Sequence, residues 1–183
     1  MTAARPTATR AGLLLAAALA MPAGGAHAQS AAGDVATKAR TVVTFARFVQ
    51  WPPGRLGPDE PALRLCVVHN NAAVAGAFSA LAGDTIEGRR LTLALGSGAP
   101  AGRCHLLYVD ASAAPAAPAA LAAVQPDGAL TLGSNDGFLA QGGMIELLVV
   151  DDRLRFDINL SQLRVAQLEL HPGVLKLARR IRR

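Results

Sequence analysis

The chain is poor in the residues that most often carry chemistry. It has two cysteines, one tryptophan and one tyrosine, and aromatics make up only 4% of its 183 residues. No Cys-x-x-Cys pair occurs, which removes the spacing a thioredoxin-type exchange site needs. There is no Gly-x-Ser-x-Gly elbow, no Gly-x-Gly-x-x-Gly turn after the first strand, and no P-loop. Four histidines are present, but none forms a His-x-His or His-x-x-x-His pair. His69 and His105 fall near one sheet edge without a third ligand, so a metal site is not expected. Gly133-Ser-Asn-Asp-Gly137 reads as a turn in which Ser134 or Asp136 caps a short helix. Asp151-Asp152 resembles a catalytic pair only until its context is read, because a tight hairpin needs polar turn formers there. No catalytic residue, cofactor or metal is expected.

What the chain does have is an export-type start. Arg5 and Arg10 precede the apolar run Leu13 to Met21, and Ala26-His27-Ala28 has the small-x-small form of a cleavage site. Residues 1–28 are therefore expected to be a cleaved signal peptide, leaving 29–183 as one domain. The run is shorter than the ~20 residues that span a bilayer. Removing Arg5 and Arg10 from the 18 basic residues leaves 16 against 13 acidic ones, a net charge of +3. Much of the excess lies in Lys176, Arg179, Arg180, Arg182 and Arg183, expected as a solvated helix face near the negative end of the helix dipole. An exported protein is not expected to bind nucleic acid.

The pattern alternates helices and strands. Asp34 is placed to cap a helix to about Gln50, ended by Trp51-Pro-Pro-Gly54. Strands are predicted at Leu63 to Val68, Leu91 to Leu95, Cys104 to Val109 and Ala129 to Leu132, with helices over 72–81 and, broken by prolines, over 113–124. Gly142 to Leu160 reads as a hairpin of one buried and one half-exposed strand turning at Asp151-Asp152. Short helices follow from about Ser161 and over 172–181, with His171 bordering the last. The expected fold is α/β, a three-layer Rossmann-like sandwich with a mainly parallel sheet and an antiparallel edge hairpin.

Cys66 and Cys104 both survive cleavage and sit in strands expected to be neighbours. In an oxidising compartment the even count favours a structural disulfide closing a loop of about 38 residues, worth on the order of 4 kcal/mol; two buried free thiols are the alternative. Phe45, Phe48 and Trp51 recur at helical spacing, with Phe45 and Phe48 placed on the sheet and Trp51 at the proline-bounded end. Trp51, with Phe48 beside it, is the candidate partner-binding anchor. His69-Asn70-Asn71 leads into a helix at the carboxyl edge of the sheet. Asn70, Asn71 and Ser134 are weak candidates for a small ligand there, against plain capping by either asparagine.

Three stretches carry a resemblance: Phe45-Ala-Arg-Phe-Val-Gln-Trp-Pro52, then Leu63-Arg-Leu-Cys-Val-Val68 with Arg103-Cys-His-Leu-Leu-Tyr108, then GGMI followed by an acidic turn and LRFDIN. In this order they resemble the YfiR-like family of small periplasmic proteins. The resemblance implies a periplasmic repressor of a membrane-bound diguanylate cyclase, acting on its periplasmic sensor domain and so lowering cyclic di-GMP. It also implies an outer-membrane lipoprotein as a sequestering partner, and a homodimer. The chain lacks the second cysteine pair common in that family, and His171-Pro172 replaces its usual serine pair. A periplasmic small-ligand carrier or sensor is the other reading.

Overall fold

The computed structural model describes residues 1–2, 25–56 and 60–183; the apolar run at 13–21 lies outside the described residues. Helix α1 spans Gly25–Phe45 and is followed by β1 (Val49–Gln50), β2 (Ala62–Val68), α2 (Ala72–Ser79), β3 (Thr85–Ile86), β4 (Arg89–Gly96) and β5 (Leu106–Val109). A 3-10 turn (Ala111–Ala116), α3 (Ala117–Val124), β6 (Leu130–Gly133), β7 (Ile145–Val150), β8 (Arg153–Asn159) and α4 (Leu160–Val165) come next. The chain closes with β9 (Glu169–Leu170), α5 (Pro172–Leu177) and β10 (Arg180–Arg182).

Eight strands form one sheet in the order β10-β8-β7-β6-β5-β2-β4-β3, parallel except for the pairs β7–β8 and β3–β4. Strand alternation splits the core in two. Leu63, Leu65, Val67, Leu106, Tyr108, Leu130 and Leu132 face one side, where α1 and α2 lie. Cys66, Val68, Leu107 and Val109 face the other, against α3 and the 3-10 turn. This is the expected three-layer α/β sandwich. After β2 the chain crosses to β4 on one side, then returns to β5 on the other, so the winding reverses between β2 and β5.

The disulfide lies at that reversal. Cys66 in β2 and Cys104 just before β5 are bridged with Cα atoms 5.9 Å apart, and both are buried. The alanine- and proline-rich stretch breaks into a 3-10 turn holding Pro115 and a helix with Pro118 in its first turn, as the prolines require.

Several elements depart from expectation. Helix α1 begins at Gly25, not at an Asp34 cap, because the alanines around Asp34 carry helix through it. It ends at Phe45, because Val49–Gln50 pair as a strand with β9. The hairpin turns at Asp151 and Asp152 with φ of 49° and 55°, the type I′ form that matches strand twist. Yet β7 is not buried throughout but alternates, since none of the described helices covers the second face at that end of the sheet. The basic tail is not a helix face. After Leu177 the chain runs extended as β10 beside β8, held by a fork-like pair in which Arg179 Nε and Nη2 lie 2.9 Å and 2.6 Å from the two oxygens of Asp157.

The GGMI stretch has a packing cause. Gly142 sits at φ 98°, in the left-handed region. The buried Phe138 ring lies between Gly133 and Gly143, and a Cβ on Gly133 would stand 2.5 Å from ring carbons. Gly143→Ala should therefore cost about 1–3 kcal/mol by overpacking. Gly76→Ala, at an open helical site, should be neutral or stabilise by up to about 1 kcal/mol. Urea denaturation of both variants measures this; an undiminished midpoint for Gly143→Ala would contradict the packing account.

Candidate functional site

The aromatic series at the end of α1 divides between core and surface. Phe45 is buried and meets Phe156 edge-on, with ring centroids 5.1 Å apart. Phe48 does not pack on the sheet as expected. The chain turns after Phe45 through Phe48 N to Phe45 O at 3.0 Å, leaving the Phe48 side chain 41% exposed. Its ring lies 6.3 Å from that of His171, whose backbone N–H donates to Phe48 O at 2.9 Å. His171 also caps α5, its Nδ1 accepting from Gly173 N at 3.1 Å. Between α1 and α5 runs an open apolar groove of about 160 Å³, floored by Phe45, Phe156 and Val174 and rimmed by Thr44, Phe48 and Leu177. Leu177 is 72% exposed. Sequence reasoning found Phe48 but missed Leu177, because α5 was expected to continue to Ile181.

Trp51 lies around the corner. It is half-buried against the α1 side of the core and lines a separate cavity of about 220 Å³ with Ala46, Leu56, Leu63 and Ile86. Its indole N–H is buried without a hydrogen-bond acceptor among the described residues. Thus Phe48 and Trp51 are close in sequence but serve different concavities.

The weak ligand candidates sit at the carboxyl edge of the sheet, by the β2/β5 reversal. Asn71 caps α2, its Oδ1 accepting from Ala73 N at 2.9 Å. Asn70 is bound to Ser112, with N to Oγ at 3.0 Å and Nδ2 to O at 3.1 Å. Ser134 caps no helix. Its Oγ lies 2.9 Å from the Tyr108 hydroxyl and 3.3 Å from Asp110 Oδ2, and accepts from Ala111 N. Burial raises the Tyr108 hydroxyl well above its ordinary range. Burial opposes ionisation of Asp110 too, but hydrogen bonds from Ser112 and Tyr108 and the charge of Lys38 prevail and lower its pKa. Asn70, Ser112, Asp110, Ser134 and Tyr108 thus bond chiefly to one another across the edge where a ligand was considered.

His105 holds no metal position, and the described residues contain no group of three or more His, Cys, Asp or Glu side chains able to hold an ion. Its Nδ1 accepts from Arg64 N at 2.9 Å, so the ring proton sits on Nε2, 3.1 Å from Glu60 Oε1. Burial lowers the His105 pKa, opposed by Glu60 and Asp127 and assisted by Arg103.

These features define a class: a three-layer α/β domain, bridged at its centre, with an open apolar groove and its polar clusters engaged internally. The chain belongs to the YfiR/HmsC-like family, matched over residues 35–179, whose members regulate diguanylate cyclases. Among solved structures it is similar in fold to a conserved domain protein from Vibrio cholerae O1 biovar El Tor, at 12% identity and a TM-score of 0.53. That likeness covers 81% of this chain, and the chain spans 60% of that one. No curated protein matches. No helix among the described residues is long and apolar enough to cross a membrane.

A group whose folded pKa is lowered binds fewer protons folded than unfolded, so its contribution is present above the unfolded value of about 6.5 and is lost as pH falls. The wild-type melting temperature should therefore fall between pH 7 and pH 5 more steeply than that of His105→Gln. Parallel slopes in scanning calorimetry would contradict the assignment.

Proposed function

We propose that this is a periplasmic regulatory protein that represses a membrane-bound diguanylate cyclase by binding its periplasmic sensor domain, so lowering cyclic di-GMP. The observation that carries the reading is the family match over 35–179, joined to an exposed apolar groove whose described lining is Thr, Phe, Val and Leu side chains. Periplasmic residence is supported by the Cys66–Cys104 bridge, which needs an oxidising compartment, and by the export-type start; cleavage after Ala28 would leave α1 beginning at Gln29. Repression is linkage: the protein shifts the cyclase by the difference in its affinity for the inactive and active sensor domain. Phe48 and Leu177 on the two rims are the anchors, with the floor of Phe45, Phe156 and Val174 accepting an apolar side chain of the partner. Trp51 lines its own cavity, which it shares with Ala46 just past the end of α1. An outer-membrane lipoprotein competing for the same groove would release the cyclase, and a homodimer would double the contact.

The experiment is capture of inner-membrane proteins on the tagged protein, with cellular cyclic di-GMP measured alongside. Wild type should recover a diguanylate cyclase. Phe48→Asp and Leu177→Asp should each reduce recovery more than tenfold and raise cyclic di-GMP, and Trp51→Ala should reduce it less. Recovery undiminished by both aspartates would move the contact off the groove, and recovery of no cyclase would sink the repressor reading.

A further inference from the structure

We propose that the outer edge of the sheet at β10 is a docking strand for an extended segment of a partner protein whose residues alternate acidic and apolar. The inference is independent of the cyclase reading, and residues 180–183 lie beyond the family match.

Strand β10 is the outermost of its sheet and pairs only with β8. Asn159 N donates to Met144 O, so β8 turns the peptide groups of Asp157 and Asn159 toward β7 and those of Phe156 and Ile158 toward β10. In the parallel register of Arg180 with Asp157, Arg180 and Arg182 bond inward to β8, and the N–H and C=O groups of Ile181 turn outward, where no described strand lies. An open edge of this kind is a template for an added strand.

The side chains say what that strand should carry. Arg180 and Arg182 stand opposite Asp157 and Asn159 and share their face, as do the exposed Arg153 and Arg155. No residue of β7, β8 or β10 belongs to the core packed under α3, so none of the described helices covers this face here. A concavity of about 340 Å³ is lined by Arg179, Arg180, Arg182, Glu146, Asp157 and the turn at Gly137 to Ala140. Both of its carboxylates are engaged: Asp157 by Arg179, and Glu146 by Gly137 N at 3.4 Å and Leu139 N at 3.1 Å. Arg180 and Arg182 have no carboxylate partner among the described residues. On the opposite face stands Ile181, 40% exposed. A strand added beside β10 would meet cations at every second position on one face and an apolar side chain on the other. A second copy of the chain would set arginine against arginine. A lipid surface would leave the outward peptide groups without a regular partner and would not enter a concavity.

The probe is a fluorescein-labelled peptide of four Glu-Val repeats, read by anisotropy against the purified protein at low salt, with four Gln-Val repeats as control and phosphatidylglycerol vesicles as the lipid arm. The Glu-Val peptide should bind at least tenfold more tightly than the Gln-Val peptide. Arg180→Glu/Arg182→Glu should abolish that difference. Ile181→Pro, which removes an outward N–H while leaving Arg180 and Arg182 on β8, should weaken binding several-fold with an unchanged melting temperature. Equal binding of the two peptides, or loss with the charge reversal but none with Ile181→Pro, would overturn strand docking. Retention on phosphatidylglycerol vesicles that both variants abolish would assign the face to lipid and overturn it too.

Discussion

The pairing of β2 with β5 is the joint on which the rest of the structure depends. Strands β4 and β3 lie on one side of it and β6, β7, β8 and β10 on the other, so the two halves of the sheet meet only through the four residue pairs from Leu65–Leu106 to Val68–Val109. It is also where the winding reverses, the place at which an α/β sheet usually opens a crevice for a ligand. Here the joint is closed twice, by the buried bridge from Cys66 to Cys104 on the α3 side and by the Tyr108–Ser134–Asp110 and Asn70–Ser112 hydrogen bonds at the carboxyl edge. A disulfide across this joint restricts the unfolded chain and ties the return stroke from β4 to the strand it must find.

With the reversal point sealed, the surfaces available for function lie at the periphery. The family's distinctive wording belongs to the scaffold. The glycines of GGMI admit Phe138 and a left-handed turn, Asp157 of LRFDIN anchors Arg179, and Asn159 caps α4. The Phe48–Leu177 groove is open because α1 and α5 approach across β8 with no third helix over them among the described residues. A bridged frame with an open groove at its periphery suits a protein that recognises other proteins.

How much was legible depended on whether a signal was local. Every strand with an apolar run of four or more was readable, as was the Asp151-Asp152 turn, because alternation and turn chemistry are written in adjacent residues. The Cys66–Cys104 pairing was readable because only two cysteines exist. The two-residue strands β1, β3 and β9 were not, since they exist only through partners distant in sequence or across a Glu87-Gly88 turn that carries little apolar signal. The tail was misread for the same reason. Leucines and cations after Pro172 fit a helix locally, but the ion pair from Arg179 to Asp157, 22 positions away, makes extension the better state. Phe48 fitted the helical stripe and left it because the helix ends at Phe45, about five residues early, a choice set by the β1–β9 pair.

The most direct test of the central joint is native-state hydrogen exchange, read peptide by peptide, on the oxidised protein and on Cys66→Ala/Cys104→Ala. If β2–β5 holds the halves together, removing the bridge should lower protection in β4 and in β6–β7 together, by similar factors. Loss of protection confined to the segment from Ser97 to Arg103 would mean that the disulfide secures only a loop, and that the two halves are held by packing alone.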